Sequence, residues 1–191
     1  MTRAANPPFT LEQGLGWTAL WAALDQTAKW AVVHFFRLPP YEAHSVLPFL
    51  DFTFVWNTGI SYGLFGGNGE LGRWLLCGLA LVAIGYFLWA LRNGETMRVG
   101  MAYALLAGGA LGNLIDRVWY GAVVDFISLH WAGFYWYVFN PADMWITFAV
   151  IILLYDAFWP QKPADCDTQA VADNAGLAID KGDGKESNNE Q

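Results

Sequence analysis

The chain has 191 residues, of which 55% are hydrophobic and 14% are charged, and its formal net charge at pH 7 is −7. Soluble domains carry about 25% charged residues, so this composition argues against a soluble protein, and the length favours one domain. Residues 159–191 contain seven acids and three lysines and therefore supply −4 of the net charge. The rest of the chain has no basic patch, which argues against a nucleic-acid partner.

Four stretches are long and apolar enough to predict transmembrane helices. A helix needs about 20 mostly apolar residues to cross a bilayer, and the stretches lie at about 16–36, 71–91, 97–116 and 139–159. The third contains the small residues Ala107-Gly108-Gly109-Ala110, which allow helix backbones to approach closely within a membrane. The sequence therefore predicts an all-α membrane domain with four spans over residues 1–158.

The first stretch carries two ionisable residues, Asp25 and Lys29. Each would cost about 2.5–3.5 kcal/mol alone at the centre of a span. Their i, i+4 spacing places them on one helix face, where they can neutralise each other. We expect a structural ion pair that also tethers the first span to its neighbours.

Two segments between the apolar stretches have the pattern of β-strands. Residues 50–57 roughly alternate apolar and polar side chains, and a second strand-like run covers 122–127. Aromatic residues cluster within 131–137, just before the fourth stretch, as is typical of a membrane interface. Both loops fall on the same side of the four spans, so we expect a small sheet-containing region on that face.

Orientation is weakly indicated by the basic residues near the span ends. Four lie on the side of the termini and three on the side of the loops: Arg3, Arg92, Arg98 and Lys162 against Arg37, Arg73 and Arg117. The positive-inside rule therefore slightly favours cytoplasmic termini. The polar, acidic segment 159–191 is predicted to be a disordered cytoplasmic tail.

Asp125 and Asp143 are the main candidates for chemistry. Both are flanked by apolar residues, and both fall on the loop side of the spans at a similar depth. Two carboxyls close together in a dry site cannot both ionise, so one keeps a proton while the other acts as a base. Such a pair can activate water against a peptide bond. From spacing alone, a proton or cation relay is also open and is favoured over a peptidase.

The other chemically capable residues suggest structural or supporting roles. Arg117, at the end of the third stretch, suits either an interfacial anchor or a ligand for a carbonyl or headgroup, and the adjacent Asp116 is expected to be structural. No Ser/His or Cys/His arrangement and no metal-ligand spacing is found in the sequence. Neither Cys77 nor Cys166 lies in a CxxC spacing. We therefore expect no metal and no cofactor.

Five ordered motifs give the chain a family resemblance. They are DQTAK at 25–29, NTG at 57–59, GGALGNLIDR at 108–117, GAVVDFI at 121–127 and FNPAD at 139–143. A lone DxxxK or NTG would mean little, but the five motifs in this order on a four-span frame are highly specific. The chain resembles signal peptidase II, the prolipoprotein signal peptidase family.

The resemblance implies a specific enzyme and site. It implies an aspartic endopeptidase whose catalytic pair is Asp125 and Asp143, whose other polar site residues are Asn57, Asn113, Arg117 and Asn140, and whose substrates are diacylglyceryl-modified prolipoproteins cut just before the lipidated cysteine. It also implies a bacterial inner-membrane protein with cytoplasmic termini and a site near the periplasmic face. We expect a monomer surrounded by membrane lipids. The alternatives left open are the ion relay and a non-catalytic membrane scaffold.

Overall fold

The computed structural model describes residues 8–59 and 69–160. Within these residues, four long helices account for most of the chain: α1 (Leu11–Trp30), α2 (Gly69–Ala90), α3 (Met97–Tyr120) and α4 (Pro141–Phe158). α1 continues as a π-helical turn over Ala31–Phe35, and α2 continues as a 3-10 turn over Leu91–Asn93. The segment 161–191, which holds most of the predicted tail, lies outside the described residues.

Three of these helices are long and apolar enough to cross a membrane. They span Gly69–Asn93, Met97–Tyr120 and Pro141–Phe158. α1 has 20 residues, but it includes the charged residues Glu12, Asp25 and Lys29 and is not among the apolar spans. The predicted second, third and fourth spans are therefore confirmed as apolar helices, and a membrane-crossing α1 stays a prediction.

The helix ends differ from the predicted limits for local reasons. α1 begins at Leu11 instead of residue 16, because Thr10 and Gln13 form a capping box. α3 continues to Tyr120, four residues past the predicted end, and stops at Gly121, whose φ of +81° is in the left-handed region.

A four-stranded antiparallel sheet lies between the helices in sequence. Its strands are β1 (Ala43–Leu47), β2 (Leu50–Asn57), β3 (Val123–Trp131) and β4 (Phe134–Phe139), in the spatial order β1-β2-β3-β4. The predicted strand at 50–57 is confirmed, and the one at 122–127 is confirmed but longer. β1 and β4 were not predicted; in β4, consecutive aromatic and apolar residues hide the alternation that identifies a strand.

Glycines allow α3 to pack closely against α1 and α4. A Cβ added at Gly108 would lie 2.7 Å from the Cβ of Trp21, and one added at Gly109 would lie 2.6 Å from the carbonyl oxygen of Ala142. Larger residues would force the helices apart. The expectation that the small residues at 107–110 permit close backbone approach is thus confirmed.

The sheet is joined to the helices by a small apolar core. Val32 from the end of α1 packs with Phe54 of β2 and with Val124 and Phe126 of β3, and all four are buried. The end of α3 and the N-cap of α4 both contact β3, because Asp116 accepts from the Val124 N–H and Asn140 donates to Asp125. The polar residues that the sequence singled out converge here.

Candidate active site

The start of α4 is fixed by the FNPAD motif. Asn140 is the N-cap: its side-chain oxygen accepts a hydrogen bond from the Asp143 backbone N–H at 3.1 Å, and Asp143 Oδ2 accepts from the Asn140 N–H at 3.3 Å. Pro141 stands at the first helical position, where no N–H is needed. This reciprocal cap holds the Asp143 carboxyl at the helix N-terminus, where a negative charge is favoured.

Asp125 lies in β3 and is 1% exposed. Its Oδ2 accepts a hydrogen bond from Asn57 Nδ2 at 2.8 Å, and its Oδ1 accepts one from Asn140 Nδ2. Burial raises the pKa of the Asp125 carboxyl to about 6; the two asparagine hydrogen bonds oppose the rise, and the nearby Asp143 charge adds to it. The carboxyl therefore keeps its proton to a higher pH than an ordinary aspartate does.

Asn140 contacts both aspartates, although they are 18 positions apart in the chain. It donates to Asp125 through its side chain and to Asp143 through its backbone. The remaining oxygen of the second carboxyl, Asp143 Oδ1, accepts from Asn113 Nδ2 at 3.0 Å. All four carboxyl oxygens thus receive hydrogen bonds from amide groups of the described residues.

The three asparagine side chains of the site are held in one orientation. An amide has an acceptor end and a donor end, and each of these amides has its oxygen occupied by a separate donor. The three oxygens accept from Gly59 N–H at 2.8 Å (Asn57), Lys29 Nζ at 2.9 Å (Asn113) and Asp143 N–H at 3.1 Å (Asn140). Each NH₂ group is consequently turned towards a carboxyl.

A buried ionic cluster lies directly beside this site. Lys29 Nζ is 2.8 Å from an oxygen of Asp25 and 2.8 Å from an oxygen of Asp116, and all three side chains are at most 2% exposed. The predicted i, i+4 pair of Asp25 and Lys29 is confirmed, and Asp116 joins it from α3. We call Asp25, Lys29 and Asp116 the ionic cluster.

Uncharged groups also donate hydrogen bonds to the two carboxylates of the ionic cluster. Asp25 Oδ1 accepts from Ala142 N–H at 2.9 Å, which ties α1 to the start of α4. Asp116 accepts from Gln26 Nε2 at 2.8 Å and from Val124 N–H at 3.2 Å, which ties α3 to α1 and β3. A Cβ at Gly112 would overlap Asp25 Oδ2, so a glycine is needed there.

Arg117 lies at the edge of the site. Its Nη1 donates to the Asn113 carbonyl at 3.3 Å, and its buried Nε has no hydrogen-bond partner among the described residues. Arg73 of α2 donates to the carbonyls of Arg117 and Val118 at 2.7 and 3.0 Å, which adds to the hydrogen bond from the Gly121 N–H to the Arg117 carbonyl at the end of α3. The sequence did not identify this capping role, because it depends on a contact between distant helices.

Sequence reasoning also missed Gln26 and Tyr137. Gln26 donates within the ionic cluster, and its signal was its place beside Asp25 in an apolar stretch. The hydroxyl of Tyr137 lies 3.2 Å from Asn57 Nδ2, but in the sequence Tyr137 is one of several clustered aromatics. No group of three or more His, Cys, Asp or Glu side chains suited to a metal occurs in residues 8–59 and 69–160.

The arrangement is suited to acid–base chemistry on a bound molecule. Asp125 and Asp143 share Asn140 and are held by amide donors, and among the described residues no Lys or Arg forms an ion pair with either. A carboxyl pair in such surroundings can exchange a proton without first breaking a salt bridge.

Comparisons with known proteins agree on one family. The family model for "Signal peptidase (SPase) II" matches residues 17–159. A lipoprotein signal peptidase of Methylobacterium radiotolerans is 46% identical over 153 residues, covering 80% of this chain and 89% of that one. A lipoprotein signal peptidase of Rhodopseudomonas palustris is 44% identical over 139 residues, covering 70% and 84%.

Two solved structures share the fold. One, described as a bacterial membrane enzyme determined by the in meso method, has a TM-score of 0.67 and 27% identity, covering 81% of this chain and 98% of its own. A second with the same description has a TM-score of 0.66 and 22% identity, covering 96% and 98%.

Proposed function

The chain belongs to the signal peptidase II family of membrane aspartic peptidases, and we propose that it cleaves signal peptides from diacylglyceryl-modified prolipoproteins with Asp125 and Asp143 as its catalytic pair. The observation that carries the assignment is the contact of Asn140 with both carboxyl groups. The contact supports a pair that acts on one water molecule.

The two aspartates take different roles in the proposed step. Asp143 takes a proton from water as the water oxygen attacks the peptide carbonyl carbon, while Asp125, whose raised pKa favours its protonated form, gives a proton to the carbonyl oxygen. When the tetrahedral intermediate collapses, the C–N bond breaks, Asp143 gives the proton that it took from water to the amide nitrogen, and a hydroxyl of the intermediate returns a proton to Asp125 as the new carboxyl group forms. One water is consumed, and neither metal nor cofactor takes part.

The surrounding polar groups suit the binding of an extended peptide. Arg117 Nε is a buried donor with no described partner, and Asn57, Asn113 and Asn140 line the carboxyls. We infer that these residues hold carbonyls of the substrate or its glyceryl ester. Asp25, Lys29 and Asp116 support the site by joining α1, α3, β3 and α4.

The proposed setting is the bacterial inner membrane. α1 completes four spans, both termini are cytoplasmic, and the sheet and the aspartates are near the periplasmic surface. A substrate already anchored by its diacylglycerol then arrives by lateral diffusion, with its acyl chains in the bilayer. The protein acts as a monomer among membrane lipids.

The direct test is cleavage of a diacylglyceryl-modified prolipoprotein peptide by the purified protein in detergent. We expect a single cut that leaves the lipidated cysteine as the new N-terminus, identified by mass spectrometry, and no cut in the unlipidated peptide. Absence of cleavage by a folded preparation, combined with proton or cation flux in liposomes, would favour the relay instead.

The proposed orientation has its own test. Alkaline phosphatase becomes active only outside the cytoplasm. A fusion of this reporter at Gln191 is therefore expected to be inactive, and a fusion within 42–48 is expected to be active. The reverse pattern would place the aspartates on the cytoplasmic side and contradict the proposed site location.

A further inference from the structure

Tyr137 is an exposed residue whose hydroxyl reaches the candidate site. It lies in β4, three residues before the N-cap Asn140, and 55% of its side chain is exposed. Its hydroxyl oxygen is 3.2 Å from Asn57 Nδ2. The same nitrogen is 2.8 Å from Asp125 Oδ2. The phenol therefore stands one amide group away from a proposed catalytic carboxyl.

The direction of this hydrogen bond leaves the phenol with a spare donor. The oxygen of Asn57 is occupied by the Gly59 N–H, so its NH₂ end faces Tyr137. The tyrosine oxygen then accepts, and its own O–H proton is free to donate elsewhere. No acceptor for that proton is found among the described residues.

The exposure of Tyr137 contrasts with that of Asp125. The carboxyl is 1% exposed, whereas the tyrosine is more than half exposed. Of the two side chains that contact Asn57 Nδ2, Tyr137 is therefore the one open to a bound peptide. Every residue of an extended peptide presents a carbonyl oxygen, which is the acceptor that a phenol O–H requires.

We propose that Tyr137 contacts the substrate directly, donating a hydrogen bond from its hydroxyl to a backbone carbonyl of the prolipoprotein beside the scissile bond. The inference rests on the proposed function and adds a substrate-contacting residue to it. Loss of the hydroxyl leaves that carbonyl without a partner, so substrate binding weakens by about tenfold.

Substrate affinity in a catalytically inactive background tests the contact separately from the chemistry. Asp143→Asn serves as the background, and the probe is a fluorescent diacylglyceryl-modified prolipoprotein peptide. Adding Tyr137→Phe is expected to raise the Kd about tenfold. Tyr135→Phe is the matched control, because Tyr135 lies in the same strand, is 63% exposed and stacks on His130. It should leave the Kd unchanged.

Several results would overturn the inference. An unchanged Kd with Tyr137→Phe would show that the hydroxyl does not touch the substrate, even if turnover falls in the otherwise wild-type enzyme. An equal rise in the Kd with Tyr135→Phe would show that any tyrosine hydroxyl of β4 affects peptide binding, and that Tyr137 makes no specific contact with the substrate. Failure of the proposed function is distinguishable, because the wild-type protein would then not cleave the peptide at all.

Discussion

Two groups of buried carboxylates lie side by side in this protein, and they differ in what neutralises them. In the ionic cluster, Asp25 and Asp116 each contact the Lys29 ammonium at 2.8 Å. At the candidate site, Asp125 and Asp143 receive hydrogen bonds from asparagine side chains and one backbone N–H, and neither forms an ion pair with a described Lys or Arg.

The difference agrees with the proposed division into structural and catalytic carboxylates. A buried ion pair fixes the charge of its carboxylate, because protonation would leave the partner ammonium unpaired in a dry interior. Among the described residues, Asp125 and Asp143 have only uncharged hydrogen-bond donors, so a change in the protonation of either leaves no buried ammonium without its partner. The four aspartates of this region thus differ in whether they contact Lys29.

The largest effect that tests this division is loss of turnover. In the proposed mechanism, Asp125→Asn and Asp143→Asn each remove a carboxyl that takes or gives the shuttled proton, and general acid–base roles are worth about 10²–10⁴-fold in rate. We expect at least that loss from either substitution, measured as cleavage of a lipidated prolipoprotein peptide per folded protein. The two losses should not add, because the residues act as a unit.

Asp116→Asn is the matched control from the ionic cluster. The change in formal charge is the same, but Asp116 contacts Lys29, Gln26 and the Val124 backbone instead of the catalytic pair. We expect less folded protein and a nearly normal rate per folded molecule. Substantial cleavage by either dyad variant would refute the aspartic mechanism, and a well-folded but inactive Asp116→Asn would mean that the pair is wrongly assigned.

The second prediction concerns stability. Lys29→Met leaves two buried carboxylates without their cation, and removing one partner of a buried ion pair costs about 3–5 kcal/mol. Thermal unfolding in detergent should show a large drop in the midpoint. Arg98→Met provides the comparison, because the Arg98 and Asp156 side chains of its ion pair are 26% and 17% exposed, whereas those of the ionic cluster are at most 2% exposed. The Arg98 variant should lose less stability than the Lys29 variant. An equal drop in the unfolding midpoint for both variants would show that the ionic cluster stabilises the fold no more than the Arg98–Asp156 pair does.

Much of this arrangement was predictable from the residues. An Asp and a Lys spaced i, i+4 inside an apolar stretch can hardly avoid pairing. The FNPAD motif carries a helix start in its residue types, with an N-cap Asn, a Pro at the first position and an Asp that returns the hydrogen bond. The alternation in 50–57 identified β2 with its observed limits.

The unpredicted parts depend on contacts between distant segments. Lys29 turns the Asn113 amide towards Asp143 across 84 positions, and Arg73 caps α3 from α2. The residues next to Asn113 and Arg73 in the sequence do not predict these hydrogen bonds. Tyr137 was hidden for another reason, because its neighbours in β4 are also aromatic and composition alone cannot show which ring reaches the site.

The third prediction uses pH. The folded-state pKa of Asp125 is about 6 against an ordinary 3.8, so between these values the native state holds a proton that the unfolded state has released. The contribution of Asp125 to the free energy of unfolding therefore falls as pH rises from about 4 to 6, by about 3 kcal/mol at 1.36 kcal/mol per pKa unit. Thermal unfolding should show Asp125→Asn gaining stability relative to wild type between pH 4.5 and pH 7. A constant difference would contradict the raised pKa.

The smallest expected effect concerns Asn113, which joins the two carboxylate groups. Its oxygen accepts from Lys29 and its nitrogen donates to Asp143, so Asn113→Ala removes a hydrogen bond to a charged group. We expect turnover per folded protein to fall about tenfold. Gln26→Ala is the control, because that amide donates to Asp116, Asp25 and the Gly112 carbonyl and not to the catalytic pair. It should reduce stability but not rate. If both variants slow turnover equally, the ionic cluster and the catalytic pair form one functional unit, because disturbing either then changes the chemistry.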